Sequence, residues 1–420
     1  MKTLMTTTML VAFAAPAIAQ ELTAQSYASA IGTSDAMIAG AQRFEEATGT
    51  EVTYNAIPSA GYNDAVNAAA AAGDLPDALM IDGPNVANYA WAGYIVPLDD
   101  HVDPALLADM TPAMRAQGTY GPDGKIYCIG PVDAGLSILG NRAYLEAADV
   151  RIPTGMDDAW SREEFEDALA KLAELPEVTH PLDMKRNYGT GEWLTYAFSP
   201  LVQSMGGDLI DRETWEATGT LDGPESVEAL TMIQDWAENG WIVPAEAGDA
   251  SFYGDKTAAL SWVANWGVAS GAEGLGEDLV ILPMPDFGGG AKTALGSWCW
   301  TISRDAEDPA ATADLIEALL SPETIKGMYD AGVYPSGLVS ALDQTPRFAE
   351  GGDLALYQEQ LDTIAVPRPV HPAYPVISSA FSQALADVLD GADPQEALTE
   401  AAQEIDQDIE DNSGYPPFGG

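Results

Sequence analysis

Apolar and polar positions along this chain fall into two rhythms that trade places at short intervals. Residues 21–27 read as a short extended run. A helix follows, with Ser34 or Asp35 as its cap, Ile38, Ala41 and Phe44 on its apolar side and Gly49 as its stop. Residues 50–57 alternate and carry β-branched side chains, so they read as a strand. A helix around 65–72 ends at Gly73, and 78–81 is a short buried strand. This succession predicts a parallel sheet with helices on both faces. Ligands of such sheets collect at the carboxyl ends of strands, here Ser26 with Tyr27 and Asp82 with Gly83.

Residues 124–141 interrupt that succession. Residues 126–129 read as a strand, Gly130 and Pro131 break it, and 136–139 turn apolar again, which marks a chain leaving one lobe for another. Beyond it, helical spacing predicts segments at 142–148, 162–174, 226–239 and 310–320, the last capped by Asp308 with Pro309 in its first turn. Residues 193–198 are rich in aromatics. An amphipathic helix at 377–389 is closed by Gly391, and Asp393-Pro394-x-Glu396 opens a final helix to 409. The tail 415–420 is rich in Pro and Gly and reads as a loosely docked end. No internal repeat or low-complexity linker occurs.

The first nineteen residues obey another logic. Lys2 is followed by an apolar run at 9–18, and Ala17-Ile18-Ala19 offers the small-x-small pattern of a signal peptidase site. This is an export signal, too short to stay as a membrane span, and it places the mature chain, expected from Gln20 onward, outside the cytoplasm. About 400 residues suits two lobes rather than one core. Losing the signal removes Lys2 and no acid, leaving 16 basic against 65 acidic residues, a net charge of −49. Such a surface repels phosphate backbones and anionic lipids, which argues against nucleic-acid and membrane-surface binding. It also makes any single acidic pair weak grounds for catalysis.

Enzyme signatures are missing: no phosphate-binding loop, no dinucleotide fingerprint, no G-x-S-x-G elbow and no H-E-x-x-H. His101, His180 and His371 lie far apart with no metal-ligand spacing, so neither metal nor cofactor is expected. The aromatics are more telling. Of ten tryptophans, Trp193, Trp266 and Trp298 each follow a chain break or end a strand, whereas Trp91, Trp160, Trp215, Trp236 and Trp241 fit helical packing. Indole faces stack on the C–H faces of sugar rings while neighbouring polar groups bind hydroxyls.

The order of several short segments resembles the extracellular sugar-binding proteins of ATP-driven importers, the family that includes maltose-binding protein. The matching segments are Phe44-Glu45-Glu46-Ala47-Thr48-Gly49, Leu75-Pro76-Asp77-Ala78 leading to Asp82, and Ala92-Gly93-Tyr94-Ile95-Val96-Pro97-Leu98. Further along come Gly124-Lys125-Ile126-Tyr127 with Asn141-Arg142, Gly206-Gly207-Asp208, Ala258-Ala259-Leu260 before Trp266, and Pro372-x-Tyr374.

The resemblance implies an α/β, two-lobe periplasmic-binding-protein fold of type II, closing over a ligand between lobes joined by crossing strands. The N-terminal lobe is expected from 20–130 and 300–352, the C-terminal lobe from 131–299 and 353–420. Tyr27, Asp82 and Asn85 would line the first lobe's edge, with Asp133 after the first crossing. Trp193, Tyr196 and Trp266 would come from the second lobe, Gly296, Ser297 and Trp298 from the return crossing, and Arg368 and Tyr374 from the last re-entry. Gln25-Ser26-Tyr27 stands where relatives often carry a tryptophan, and Ala134 beside Asp133 is small; both bear on ligand identity.

By the same resemblance Cys128 and Cys299 fall on crossing strands, 126–129 and 295–302, that run side by side. A spacing of about 4.8 Å leaves a disulfide open, with two packed thiols as the alternative. The expected function is that of a monomeric receptor for a sugar, small oligosaccharide or polyol, which it hands to an ABC importer permease. It performs no chemistry. A polyamine or betaine receptor, and a secreted glycoside hydrolase, are the alternatives.

Overall fold

The computed structural model describes residues 21–28, 33–58, 61–121, 124–296, 298–331 and 334–416. The export signal expected at 1–19 and Ser297 lie outside them. Two sheets organise the chain. The first runs in the order Glu51–Pro58, Glu21–Ala28, Ala78–Asp82, Trp298–Ser303, Ile95–Val96. Its first three strands are parallel, as the strand–helix–strand succession requires, and Trp298–Ser303 runs antiparallel to both neighbours. The helices Thr33–Thr48 and Tyr62–Ala72 supply the crossovers. Ala78–Asp82 is buried along its whole length, the mark of a central strand covered on both faces.

The expected cap of the first helix is wrong. The helix already includes Thr33, so Ser34 and Asp35 are inside its first turn. The Ser34 hydroxyl instead donates to the Tyr27 carbonyl at 3.3 Å, tying the helix start to the strand end. Other caps match expectation: Asp308 accepts from the Ala310 and Ala311 amides, and Asp393 from that of Glu396.

The second sheet runs Leu279–Leu282, Leu136–Asn141, Leu260–Ala264, Leu182–Asp183. Helices Glu192–Ser204, Pro224–Glu238, Tyr374–Leu389 and Pro394–Asp411 pack with it and with one another. Trp160, Phe165, Trp236, Trp262 and Phe287 form its aromatic heart. Trp160 and Trp236 are therefore core residues, as helical packing suggests. The tail differs from expectation. Tyr415 is buried, its hydroxyl donates to Asp408 at 2.6 Å and its ring meets Trp91 at 4.6 Å, while Trp91 Nε1 donates to the Pro416 carbonyl at 3.1 Å. One aromatic with a satisfied hydroxyl is enough to seat an otherwise weak segment; residues 417–420 lie outside the description.

The chain passes between the sheets near residues 128–136, 295–298 and 338–354. The single return strand expected at 295–302 is two strands. Thr293–Leu295 pairs with Ala365–Pro367, and Trp298–Ser303 joins the first sheet, so each half belongs to a different layer. The outward strand is also shorter than expected: Lys125–Ile126 pairs with Thr119–Tyr120, and Ile129 meets the return strand only through a bridge to Trp300. Beside that bridge, Cys128 and Cys299 are joined in a disulfide with Cα atoms 5.5 Å apart, both fully buried. It closes a separation of 171 residues, worth at most about 5 kcal/mol by chain entropy.

Candidate ligand site between the lobes

Asp82 ends the buried central strand of the first sheet, so its carboxylate emerges at the strand's carboxyl edge. Arg368 follows the strand Ala365–Pro367 and grips it with two parallel bonds, Nη1 to Oδ2 at 3.1 Å and Nη2 to Oδ1 at 3.0 Å. The same guanidinium reaches Glu192, the first residue of the helix Glu192–Ser204 in the second lobe. Glu192 also accepts from the Tyr374 hydroxyl and, at 2.7 Å, from Ser378 Oγ. One arginine thus ties both lobes together. Bidentate geometry of this kind is the strong form of a charged hydrogen bond.

Glu192 and Trp193 are presented by a tightly turned loop. Gly191 has φ 146°, a conformation costly for other residues. Beneath it, buried Lys185 pairs with Asp183 at 2.8 Å and Asp249 at 3.1 Å, and Trp193 Nε1 donates to the Met184 carbonyl at 3.1 Å. Trp193, Tyr196 and Trp266 then form a continuous aromatic wall. Ring centroids are 6.0 Å apart for Trp193–Tyr196 and Trp193–Trp266, and 5.9 Å for the stacked Tyr196–Trp266 pair. Arg368 lies over the Tyr196 ring at 5.2 Å. Trp266, half-buried, packs against apolar clusters of both lobes, which puts it at their junction. Gly296 is required there: a Cβ would sit 2.4 Å from Tyr196 Cε2.

Tyr27 and Trp298 pair at 4.3 Å on the first-lobe side, with Tyr62 edge-on to Trp298 at 5.1 Å. Trp298 is the strand partner of Asp82, so this aromatic pair flanks the arginine clamp. Asn85 and Asp133 are buried as well, and each has an atom, Nδ2 and Oδ2, with no hydrogen-bond partner. Tyr196 Oη and Arg368 Nε share that condition. The sequence-expected residues therefore fall into four groups: a clamp of Asp82, Arg368 and Tyr374, an aromatic wall packed on Gly296, the Tyr27–Trp298 pair, and the polar residues Asn85 and Asp133. Ser297 is outside the described residues.

Burial pushes the Asp133 carboxyl up to about 7, against the opposing pull of the Ala134 amide, the Gln117 side chain and Arg368. Burial also raises Asp82, with Arg368 pulling the other way and Glu192 adding to the rise. Burial alone would weaken the Arg368 cation, but Asp82, Tyr374 and Glu192 around it drive its pKa well above the ordinary value. Three residues escape a sequence reading: Glu192, Ser378 and Gln117. Among so many acids a lone glutamate carries no signal, and Ser378 and Gln117 look like any helical polar residue. A surface groove of about 350 Å³ on the second lobe, lined by His180, Arg186, Gln234 and Asp390 among others, lies away from all of these groups.

A model of the bacterial extracellular solute-binding proteins matches residues 39–355. The chain belongs to that family. Solved relatives of the solute-binding proteins share its fold at low identity. The GacH receptor of Streptomyces glaucescens, solved unliganded and with acarbose, superposes with a TM-score of 0.79 at 21% identity, covering 94% of this chain and 99% of its own. An ABC transporter solute-binding protein of Thermotoga lettingae bound to α-D-tagatose gives 0.78 at 20%, covering 92% and 99%. A cyclic α-maltosyl-1,6-maltose binding protein of Arthrobacter globiformis gives 0.73 at 23%, covering 93% and 99%. The expected α/β, two-lobe fold is thus the fold of this solute-binding protein.

Proposed function

We propose that this chain is a periplasmic receptor that binds a sugar, small oligosaccharide or polyol between its lobes and delivers it to an ABC importer permease. The lobes are taken as 20–130 with 300–352, and 131–299 with 353–420, after cleavage behind Ala19. One observation carries the reading: aromatic faces and unpartnered, buried donors and acceptors converge where the lobes meet. Apolar stacking plus mixed hydrogen bonding is what a ring studded with hydroxyls demands. The ligands named for the three structural relatives are saccharides or saccharide analogues, which agrees with it. The clamp supplies the closing mechanism, since a ligand touching both lobes favours the arrangement in which both walls are present.

A thermal-shift screen across sugars, polyols, polyamines and betaines tests the assignment. A true ligand at 100 times its dissociation constant adds about 2.7 kcal/mol. A response to polyamines or betaines alone would replace the carbohydrate reading with the cationic one, which the three carboxylates of the cleft make the next choice. Reducing ends released on prolonged incubation with oligosaccharides would instead expose a hydrolase.

A further inference from the structure

The lobes also meet outside the clamp. The helix Val86–Trp91 belongs to the first lobe, with Val86, Tyr89 and Ala90 buried in that lobe's apolar cluster. Asn88 and Trp91, three residues apart and so on one face, reach the other lobe. Asn88 Nδ2 donates to the Pro372 carbonyl at 2.7 Å. The Trp91 ring packs on the second lobe's cluster, edge-on to Tyr415 at 4.6 Å, and its Nε1 donates to the Pro416 carbonyl at 3.1 Å.

The second lobe holds its side of this contact firmly. After the final helix the chain turns through Ser413 at φ 56°, Gly414 at 75° and Tyr415 at 52°, a left-handed run that residues other than glycine keep only where surrounding contacts enforce it. Such contacts are present. The Tyr415 hydroxyl donates to Asp408 at 2.6 Å and accepts from Asn412 Nδ2 at 3.0 Å. Its ring meets His371 edge-on at 5.4 Å, and His371 stacks on Trp215 at 4.7 Å. His371 Nδ1 accepts from the Ala373 amide at 3.2 Å, and burial lowers its pKa to about 4, so it packs as a neutral ring. Trp215, His371, Tyr415 and Trp91 thus make one row of rings, three from the second lobe and the last from the first.

This row shares its two supporting segments with the clamp. Val86 comes four residues after Asp82, and Pro372 four after Arg368. A movement that parts Asp82 from Arg368 therefore carries Trp91 away from Tyr415 as well. We propose that the C-terminal turn is an uncharged latch, in which Tyr415 and Pro416 close on Trp91 of the opposite lobe and hold the shut arrangement independently of any ligand. These are positioning residues. They act on the closed-to-open ratio, and so on how long a ligand stays rather than on which ligand enters.

Hydrogen exchange of the ligand-free full chain tests this by altering one lobe and reading the other. Tyr415→Ala changes only the second lobe. The expected result is that amides of Val86–Trp91 exchange roughly tenfold faster or more, from loss of the ring contact and of the hydrogen bond it supports. Amides of the buried strand Ala78–Asp82 should keep the parent's rate. Tyr415→Phe, which retains the ring, should restore most of the protection. Trp91→Phe, which loses only the indole N–H and part of the ring, should speed exchange at residues 411–416 by a smaller factor. Unchanged exchange of Val86–Trp91 in Tyr415→Ala overturns the latch, as does a change confined to 408–416, which would make the tail a plug on its own lobe. Equal loss of protection in Tyr415→Phe and Tyr415→Ala overturns the ring contact as its basis. Should Tyr415→Ala fail to fold, Trp91→Phe read in the second lobe decides: unchanged exchange at 411–416 overturns the latch. No ligand enters these measurements, so they stand or fall apart from the carbohydrate reading.

Discussion

Two halves of the cleft are equally dry and opposite in hydrogen bonding. Arg368, 5% exposed, makes bonds to Asp82 and Glu192, and Glu192 collects Tyr374 and Ser378 besides. Asp133, 2% exposed, holds one local bond from the Ala134 amide, feels the pull of the Gln117 side chain and leaves Oδ2 without a partner, and Asn85 Nδ2 and Tyr196 Oη are likewise unpartnered. The first half is a joint between lobes whose groups satisfy each other. In the second, each unpartnered buried group costs about 1–3 kcal/mol until something bonds it. The difference teaches where closure and recognition are divided: the paired half holds the lobes in register, and the unpaired half gains most from a ligand.

Removing the joint gives the largest effect. Arg368→Met leaves Asp82 and Glu192 facing each other without a cation, a loss of about 3–5 kcal/mol for the closed form. The lobes relieve this by opening, so the closed-to-open ratio falls by roughly two to four orders of magnitude. Small-angle scattering of the unliganded variant should show a larger radius of gyration than the parent. An identical profile would mean that the paired half does not hold the lobes.

Trp266→Ala tests the aromatic wall that both halves share. Binding of the ligand found by thermal shift should weaken by about 2 kcal/mol or more, as for a buried aromatic anchor. Unfolding should change less, because the ring is only half-buried at a junction. Calorimetry and urea unfolding on the same preparation separate the two; lost stability with unchanged affinity would make Trp266 a packing residue. Gly296→Ala reaches the same wall from behind. Its methyl would press on Tyr196 and displace the ring, an overpacking cost of about 1–3 kcal/mol, expected as weaker binding by calorimetry.

Per pH unit the smallest effect is that of Asp133, which isolates the unpaired half. The folded Asp133 carboxyl titrates at about 7 and an unfolded one near 3.9, so the folded chain holds this proton more tightly. Its contribution to stability is therefore most favourable below about pH 4 and declines as pH rises towards 7, by at most about 1.4 kcal/mol per unit. Asp133→Asn removes that slope. Urea unfolding at pH 5, 6 and 7 should show the variant gaining on the parent as pH rises. Parallel pH profiles would mean that Asp133 is hydrated rather than dry.

Local pattern settled much of the frame. Gly49 and Gly73 end helices where the sequence places their stops, Asp308 and Asp393 cap theirs, and the alternation around the first strands yields a parallel sheet. These depend on backbone conformation and near-neighbour bonds, which a short stretch of residues controls. The return crossing was less legible. Thr293–Leu295 and Trp298–Ser303 look continuous, and only the position of two separate sheets splits them. The tail misled for a similar reason: Tyr415 finds Trp91, more than three hundred residues away in the other lobe's helix Val86–Trp91.

The site divides in the same way. Sequence alone determined which aromatics stand at chain breaks and that Asp82 ends a buried strand, while the placing of two cysteines on neighbouring crossings came from the resemblance to the importers' sugar-binding proteins. The first two follow from periodicity and from the order of segments. Only the tertiary structure decided that Arg368 bonds Asp82 and Glu192 together, that Gln117 stands beside Asp133, and which buried groups go without partners. Glu192 is 110 residues from Asp82 and 176 from Arg368. Hydrogen bonds and desolvation act over a few ångströms of space, and the sequence does not say which of its many carboxylates will be brought within that reach.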